Sequence, residues 1–131
     1  MKNINKILIA FIAVLAVSCT ADDVADRPVI SSVETPELIA PASGAEYNLL
    51  EIDADKDADR FVWTAAEYSD AVAINYTLLI DVKDGDFTNA QTLATTLSTI
   101  EAPVTVKALN AAALALGAEP GVPLLFDIKV K

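Results

Sequence analysis

The amino-acid sequence contains no histidine, a single cysteine and few basic residues. Without histidine, every catalytic mechanism or metal site that needs an imidazole is excluded. One cysteine can form neither an intrachain disulfide nor a cysteine-rich zinc site. Lys and Arg number 9 against 19 Asp and Glu, a net charge of −10 that disfavours contact with a phosphate backbone. We therefore expect no cofactor and no nucleic-acid partner.

The residues that are present offer little basis for catalysis. The four glycines, at positions 44, 85, 117 and 121, form no phosphate-binding loop. A Ser or Thr nucleophile would lack a histidine base, and no lysine is placed to replace it. A hydrolase that uses two carboxylates across a cleft stays an alternative, because acidic residues are plentiful. We predict that the protein is not an enzyme.

The first nineteen residues have the features of an export signal. Lys2 and Lys6 precede an unbroken apolar run from Ile7 to Val17, which is shorter than the ~20 residues of a membrane span but suits a signal peptide. The sequence LAVS at 15–18, directly before Cys19, resembles a bacterial lipoprotein signal, although its leucine lies four residues before the cysteine instead of three. The resemblance implies cleavage between Ser18 and Cys19 and lipidation of Cys19. The alternative is an ordinary secreted protein.

Residues 19–35 are acidic and lack periodicity, so we predict a flexible tether after the lipidated cysteine. Asp22 and Asp23 resemble the surface-export signals of Bacteroidota lipoproteins. A solvated linker without signal content is the alternative interpretation.

The pattern of residues 36–131 predicts one domain of short strands. Period-2 alternation is clearest at 74–82, where Ile74, Tyr76, Leu78, Ile80 and Val82 form one face. Residues 107–116 have helical spacing and end at Gly117. Further strands are predicted at 37–40, 47–52, 60–65, 92–100 (an edge strand), 103–106 and 124–130. The pattern predicts an all-β, immunoglobulin or fibronectin type III-like β-sandwich with one short crossover helix.

Most aromatic residues lie where a core is expected. Trp63, Tyr76 and Phe126 fall on alternating apolar faces, so we predict that they anchor the core. Phe61 and Ala65 share the face of Trp63. Tyr47, Tyr68 and Phe87 remain as exposed candidates for sugar stacking, and nothing in the sequence clusters them. We expect little or no sugar binding by this domain.

The acidic stretch 53–59 has the alternating carboxylates of a calcium loop. An EF-hand loop that began at Asp53 would need Gly at its sixth and Glu at its twelfth position, where Ala58 and Thr64 stand. We therefore predict a solvated loop, with Lys56 and Arg60 as counter-charges, and no metal site.

Several segments together resemble the amino-terminal domain of the SusE family, outer-membrane lipoproteins of starch and glycan utilisation in Bacteroidota. The matching segments are LIAPASG at 38–44, FVWTAA at 61–66, INYTL at 74–78, LN at 109–110, ALG at 115–117 and FDIKV at 126–130. The resemblance implies a lipid-anchored, surface-facing outer-membrane protein that works with other glycan-utilisation surface proteins. It also implies that starch or a related glycan binds to later domains, which are absent from this chain, while this domain acts as a spacer.

The sequence departs from the family after residue 131, where family members continue into a last strand and further domains. Without a seventh strand, residues 124–131 would form an unpaired sheet edge. We therefore expect either a fragment of a longer protein or a partner that donates the missing strand. The second possibility makes the domain a structural or assembly module that pairs with another surface protein.

Overall fold

The computed structural model describes residues 29–131. The predicted signal peptide at 1–18, Cys19 and the tether up to residue 28 lie outside the described residues. The elements are β1 (Ser32–Glu34), β2 (Leu38–Ala40), a 3-10 turn (Glu51–Asp53), β3 (Asp57–Trp63), β4 (Glu67–Tyr68), β5 (Asn75–Val82), β6 (Gln91–Leu97), β7 (Glu101–Thr105), α1 (Val106–Ala115) and β8 (Phe126–Val130).

Two three-stranded antiparallel sheets enclose the core. One sheet has the order β2-β3-β7 and the other β6-β5-β8, while β1 and β4 form a separate two-stranded ribbon. The core contains residues from both sheets: Phe61, Trp63, Ala102 and Val104 from the first, and Tyr76, Leu78, Ile80 and Val130 from the second. The prediction of an all-β sandwich with one short helix is confirmed.

The central strand β5 matches its predicted pattern closely. Tyr76, Leu78 and Ile80 are buried, as the period-2 alternation requires. Leu78 stands between Ala94 of β6 and Val130 of β8 in the pairing register, and it has no measurable exposure. The strand predicted at 92–100 is β6, which is an edge strand as expected.

The helix α1 begins and ends at the residues that its sequence favours. The side-chain oxygen of Thr105 accepts the backbone N–H of Ala108 at 3.2 Å, which caps the first turn. Gly117 follows the helix with φ of 94°, a conformation that glycine adopts without strain. Leu109 and Ala112 of α1 join the core, so the helix closes one side of the sandwich.

The prediction of a strand at 47–52 is wrong. Backbone hydrogen bonds there are local, from the N–H of Asp53 to the carbonyl of Leu50 and from that of Ala54 to Glu51, and they form the 3-10 turn. Tyr47 and Leu49 pack against the core while Leu50 and Ile52 are exposed, so the apolar alternation is present without a neighbouring strand to pair with. Tight local turns therefore replace a sheet ladder.

Three boundaries also differ from expectation. β3 begins at Asp57, opposite Thr105, so the predicted polar loop at 53–59 is shorter. Trp63 ends the strand, which leaves Ala65 exposed and Ala66 buried. Residues 32–34, within the segment interpreted as a tether, form β1 and pair with β4.

Candidate functional site

Trp63, Tyr76 and Phe126 come from three strands and contribute to one core. Trp63 and Tyr76 are 1% and 2% exposed, with ring centroids 5.7 Å apart and planes tilted by 58°. Phe126 is half-buried and packs against the same cluster. The Tyr76 hydroxyl accepts the buried backbone N–H of Ala66 at 3.0 Å. The rings of Trp63 and Tyr76 therefore present no free face of the kind that stacks on a sugar.

The three aromatic residues predicted as exposed candidates for sugar stacking lie in different parts of the domain. The Tyr47 hydroxyl donates to Asp59 at 2.7 Å, and burial together with this hydrogen bond raises the pKa of Tyr47 well above its usual value. Tyr68 lies on β4 and is 39% exposed. Phe87 lies under the ammonium group of Lys129, 5.5 Å from its ring centroid. Within residues 29–131, the aromatic pair in ring contact is Trp63 with Tyr76.

The two basic residues near the acidic stretch 53–59 form exposed ion pairs. Lys56 pairs with Asp53 at 2.6 Å, as the expected local counter-charge. Arg60 instead reaches across to Glu101 on β7 at 2.8 Å, since both face solvent on adjacent strands. No group of three or more potential metal-ligating side chains occurs among the described residues.

The end of β5 contains a buried carboxylate that the sequence analysis did not single out. Asp81 is 4% exposed, and its side chain accepts the backbone N–H groups of Val82 and Phe87, both at 2.8 Å. A Cβ on Gly85 would lie 2.7 Å from the carboxylate oxygen of Asp81, so this turn accepts only glycine there. The signal in the sequence is the single charged residue of β5, three residues before Asp84-Gly85.

A second carboxylate secures the same turn from β8. Asp127 accepts the backbone N–H of Asp84 at 2.9 Å and pairs with Lys83 at 3.1 Å. The backbone hydrogen bond has the larger effect and the contact with Lys83 the smaller; both lower the pKa of Asp127 below its ordinary value of 3.8. The turn therefore folds over the outer face of β5 and β8, and both carboxylates act on backbone groups.

The edge of β8 that faces away from β5 borders a groove. In the described part of the chain, β8 pairs with β5 and with no other strand. A groove of about 520 Å³ runs beside this edge. Its walls are Ile128 and Val130 on one side and Leu38, Ala66 and Tyr68 on the other. The groove is mostly apolar.

Comparison with known proteins identifies the family. No helix among residues 29–131 has the length and apolar character needed to cross a membrane. No curated protein and no solved structure matches the chain. The family model described as SusE outer membrane protein matches residues 23–131. The chain therefore belongs to the SusE family, the outer-membrane proteins of the Sus glycan-utilisation system.

Proposed function

We propose that this protein is a lipid-anchored component of a glycan-capture system in which the sandwich serves as a spacer. Membership in the SusE family, over residues 23–131, is the observation that carries this proposal. Lipid attached to Cys19 would anchor the chain, and the acidic residues between Cys19 and β1 would hold the sandwich away from the membrane. Stable anchoring of this kind needs more than one acyl chain.

The placement of the aromatic residues supports a spacer without its own sugar site. A glycan platform needs neighbouring exposed rings with polar groups around them. Tyr47 is engaged with Asp59, Phe87 is covered by Lys129, and Tyr68 stands alone on the β1–β4 ribbon. Binding of starch or a related glycan would then belong to other domains or proteins of the system.

The carboxylates support a non-enzymatic role. A glycosidase holds two carboxyl groups across a cleft, with one of them at a raised pKa. Asp81 and Asp127 instead accept backbone N–H groups of one turn, and the pKa of Asp127 is lowered. Both are committed to holding the chain in place.

Replacement of Cys19 tests the anchor. Cys19→Ala should move the protein from the outer-membrane fraction to the soluble fraction, because the lipid has no other thiol to attach to. The neighbouring Thr20→Ala variant should stay with the membrane. Retention of Cys19→Ala in the membrane fraction would contradict the anchor.

Electrophoresis through a gel containing starch tests the spacer role. The full chain should migrate as it does without starch, and Tyr68→Ala should behave identically. Retardation that Tyr68→Ala abolishes would show a sugar site on β4 and would contradict the spacer role.

The free edge of β8 favours a second function, an assembly module. An exposed strand edge accepts an extended segment through backbone hydrogen bonds. A photoreactive residue in place of the exposed Leu125, just before β8, should cross-link to another surface protein in intact cells. Absence of any cross-linked product would count against this function.

A further inference from the structure

The ribbon formed by β1 and β4 contributes nothing to the hydrophobic core. Every residue of the two strands is exposed, and none of them packs in or against the core cluster. Even the apolar side chains face solvent, with exposed fractions of 62% for Val33 and 50% for Ile30, which lies just before β1. A two-stranded ribbon that buries no apolar face is marginally stable in water. The ribbon can therefore open without exposing the core.

The hydrogen bonds across the ribbon lie in solvent, and its ladder is irregular. The N–H of Ser69 donates to the carbonyl of Ser31 at 2.9 Å, and the N–H of Ser31 donates to the hydroxyl of Ser69 at 3.1 Å. The pairing register shifts between Ser32 and Glu34, which interrupts the ladder. Exposed hydrogen bonds add little net stability, because water replaces them when the strands separate.

The register also places two carboxylates opposite each other. Glu34 of β1 pairs with Glu67 of β4. Side chains of directly opposite residues lie on one face of a ribbon, and like charges in that position destabilise the pairing. Among residues 29–131, neither carboxylate forms an ion pair that would offset this repulsion. The side chains of this pair therefore favour separation of the strands.

The chain next to the ribbon is held by contacts that do not depend on it. The carbonyl of Glu37 accepts the N–H of Thr64 at 2.9 Å, and the N–H of Glu37 donates to the Thr64 hydroxyl at 2.8 Å. Leu38 then packs against the core. Ala66, which precedes β4, is buried and donates its N–H to the Tyr76 hydroxyl. Opening therefore frees residues 31–36, while β4 stays with the sandwich.

We propose that β1 is a releasable strap, which separates from β4 while the sandwich stays folded and so lengthens the chain between Cys19 and the sandwich. The freed residues 31–36 span up to about 20 Å when extended. The gain in reach from the membrane rests on the lipid anchor of the proposed function, whereas the opening itself depends only on the ribbon. Salt screens the repulsion between Glu34 and Glu67, so it favours the closed strap.

Hydrogen exchange of single backbone amides, measured on the full chain in mild detergent, tests the opening. The protection factor of the Ser69 amide should be at least tenfold lower than that of the Thr64 amide, because Ser69 loses its acceptor when β1 leaves and Thr64 keeps Glu37. Higher salt should raise the protection of Ser69.

Charge reversal tests the role of the carboxylate pair. Glu34→Lys places opposite charges across the ribbon, so the protection of the Ser69 amide should rise about two- to tenfold. Adding Glu67→Lys restores like charges and should return the protection to its original level. Glu37→Lys makes the same charge change at an exposed position outside the β1–β4 pairing, and it should leave the protection of Ser69 unchanged.

Distances between two spin labels measure the reach. Ile30→Cys and Asp70→Cys carry the labels at exposed positions, one residue beyond the pair of Ser31 and Ser69. A short and a longer distance should both be present, and Glu34→Lys should increase the short population. A third label on Cys19 would show a free thiol there and contradict the lipid anchor, while hydrogen exchange would still decide whether the strap opens.

Two results would overturn the proposal. Protection of the Ser69 amide equal to that of the Thr64 amide would mean that β1 leaves only when the sandwich unfolds. A single short distance that is the same in the parent and in Glu34→Lys would mean that the strap stays closed. Equal effects of Glu34→Lys and Glu37→Lys on Ser69 would reject the carboxylate pair as the cause of opening.

Discussion

Removal of the Tyr76 hydroxyl isolates the hydrogen bond that joins the two sheets. Tyr76 belongs to β5, and its hydroxyl accepts the N–H of Ala66, which follows β3. Tyr76→Phe keeps the ring against Trp63 but leaves the Ala66 N–H buried without its acceptor. A buried donor without a partner costs about 1–3 kcal/mol. That loss is large beside a total stability of about 5–15 kcal/mol.

Urea unfolding of the full chain measures this loss directly. Trp63 is the single tryptophan and is 1% exposed, so its fluorescence reports the opening of the core, with circular dichroism as a second probe. With a denaturant dependence of about 1.5 kcal/mol per molar urea, the midpoint should fall by ~0.7–2 M.

Tyr68→Phe is the matched control for this measurement. Tyr68 lies on β4 and is 39% exposed, so its hydroxyl meets solvent and its removal should move the midpoint little. If the midpoint of Tyr76→Phe coincides with that of Tyr68→Phe, the hydrogen bond to Ala66 does not stabilise the fold, and the reasoning is refuted.

Two further predictions concern the core and the turn after β5. Trp63→Ala should lower the free energy of unfolding by about 3–5 kcal/mol, because its cavity lies between the sheets; a loss below 1 kcal/mol in urea unfolding would contradict the burial of this ring. Asp127→Asn should lower the melting temperature at neutral pH, since the carboxylate binds the Asp84 N–H and Lys83. The pKa of Asp127 is lower in the folded than in the unfolded protein, so this stabilisation is present above the unfolded-state pKa and is lost as pH falls through the folded-state pKa. The melting temperatures of the two proteins should therefore approach each other as the pH falls below about 4. A difference in melting temperature that is constant from neutral pH to pH 3 would be inconsistent with it.

The family assignment connects these physical features to a location. The SusE family comprises outer-membrane proteins of the Sus glycan-utilisation system. The assembly function proposed for β8 would operate in that setting.

Local patterns in the sequence were enough to predict much of the fold. Alternation in 74–82 identified β5 and its buried face, since a strand places successive side chains on opposite faces whatever its neighbours are. Gly117 marked the end of the helix because the left-handed conformation favours glycine. The order of short segments along the chain predicted the family.

Only the tertiary structure decided the features that depend on distant partners. Apolar residues at 47–52 suggested a strand, but a strand requires a neighbour to bond with, and local turns supplied those bonds instead. Asp81 is buried because the turn at 83–88 folds back over it and because Asp127, from β8, holds that turn. Which backbone groups of β8 face away from β5 likewise depends on the register between these two strands. Periodicity determines the face on which a side chain lies, whereas pairing and burial depend on contacts between residues far apart in the chain.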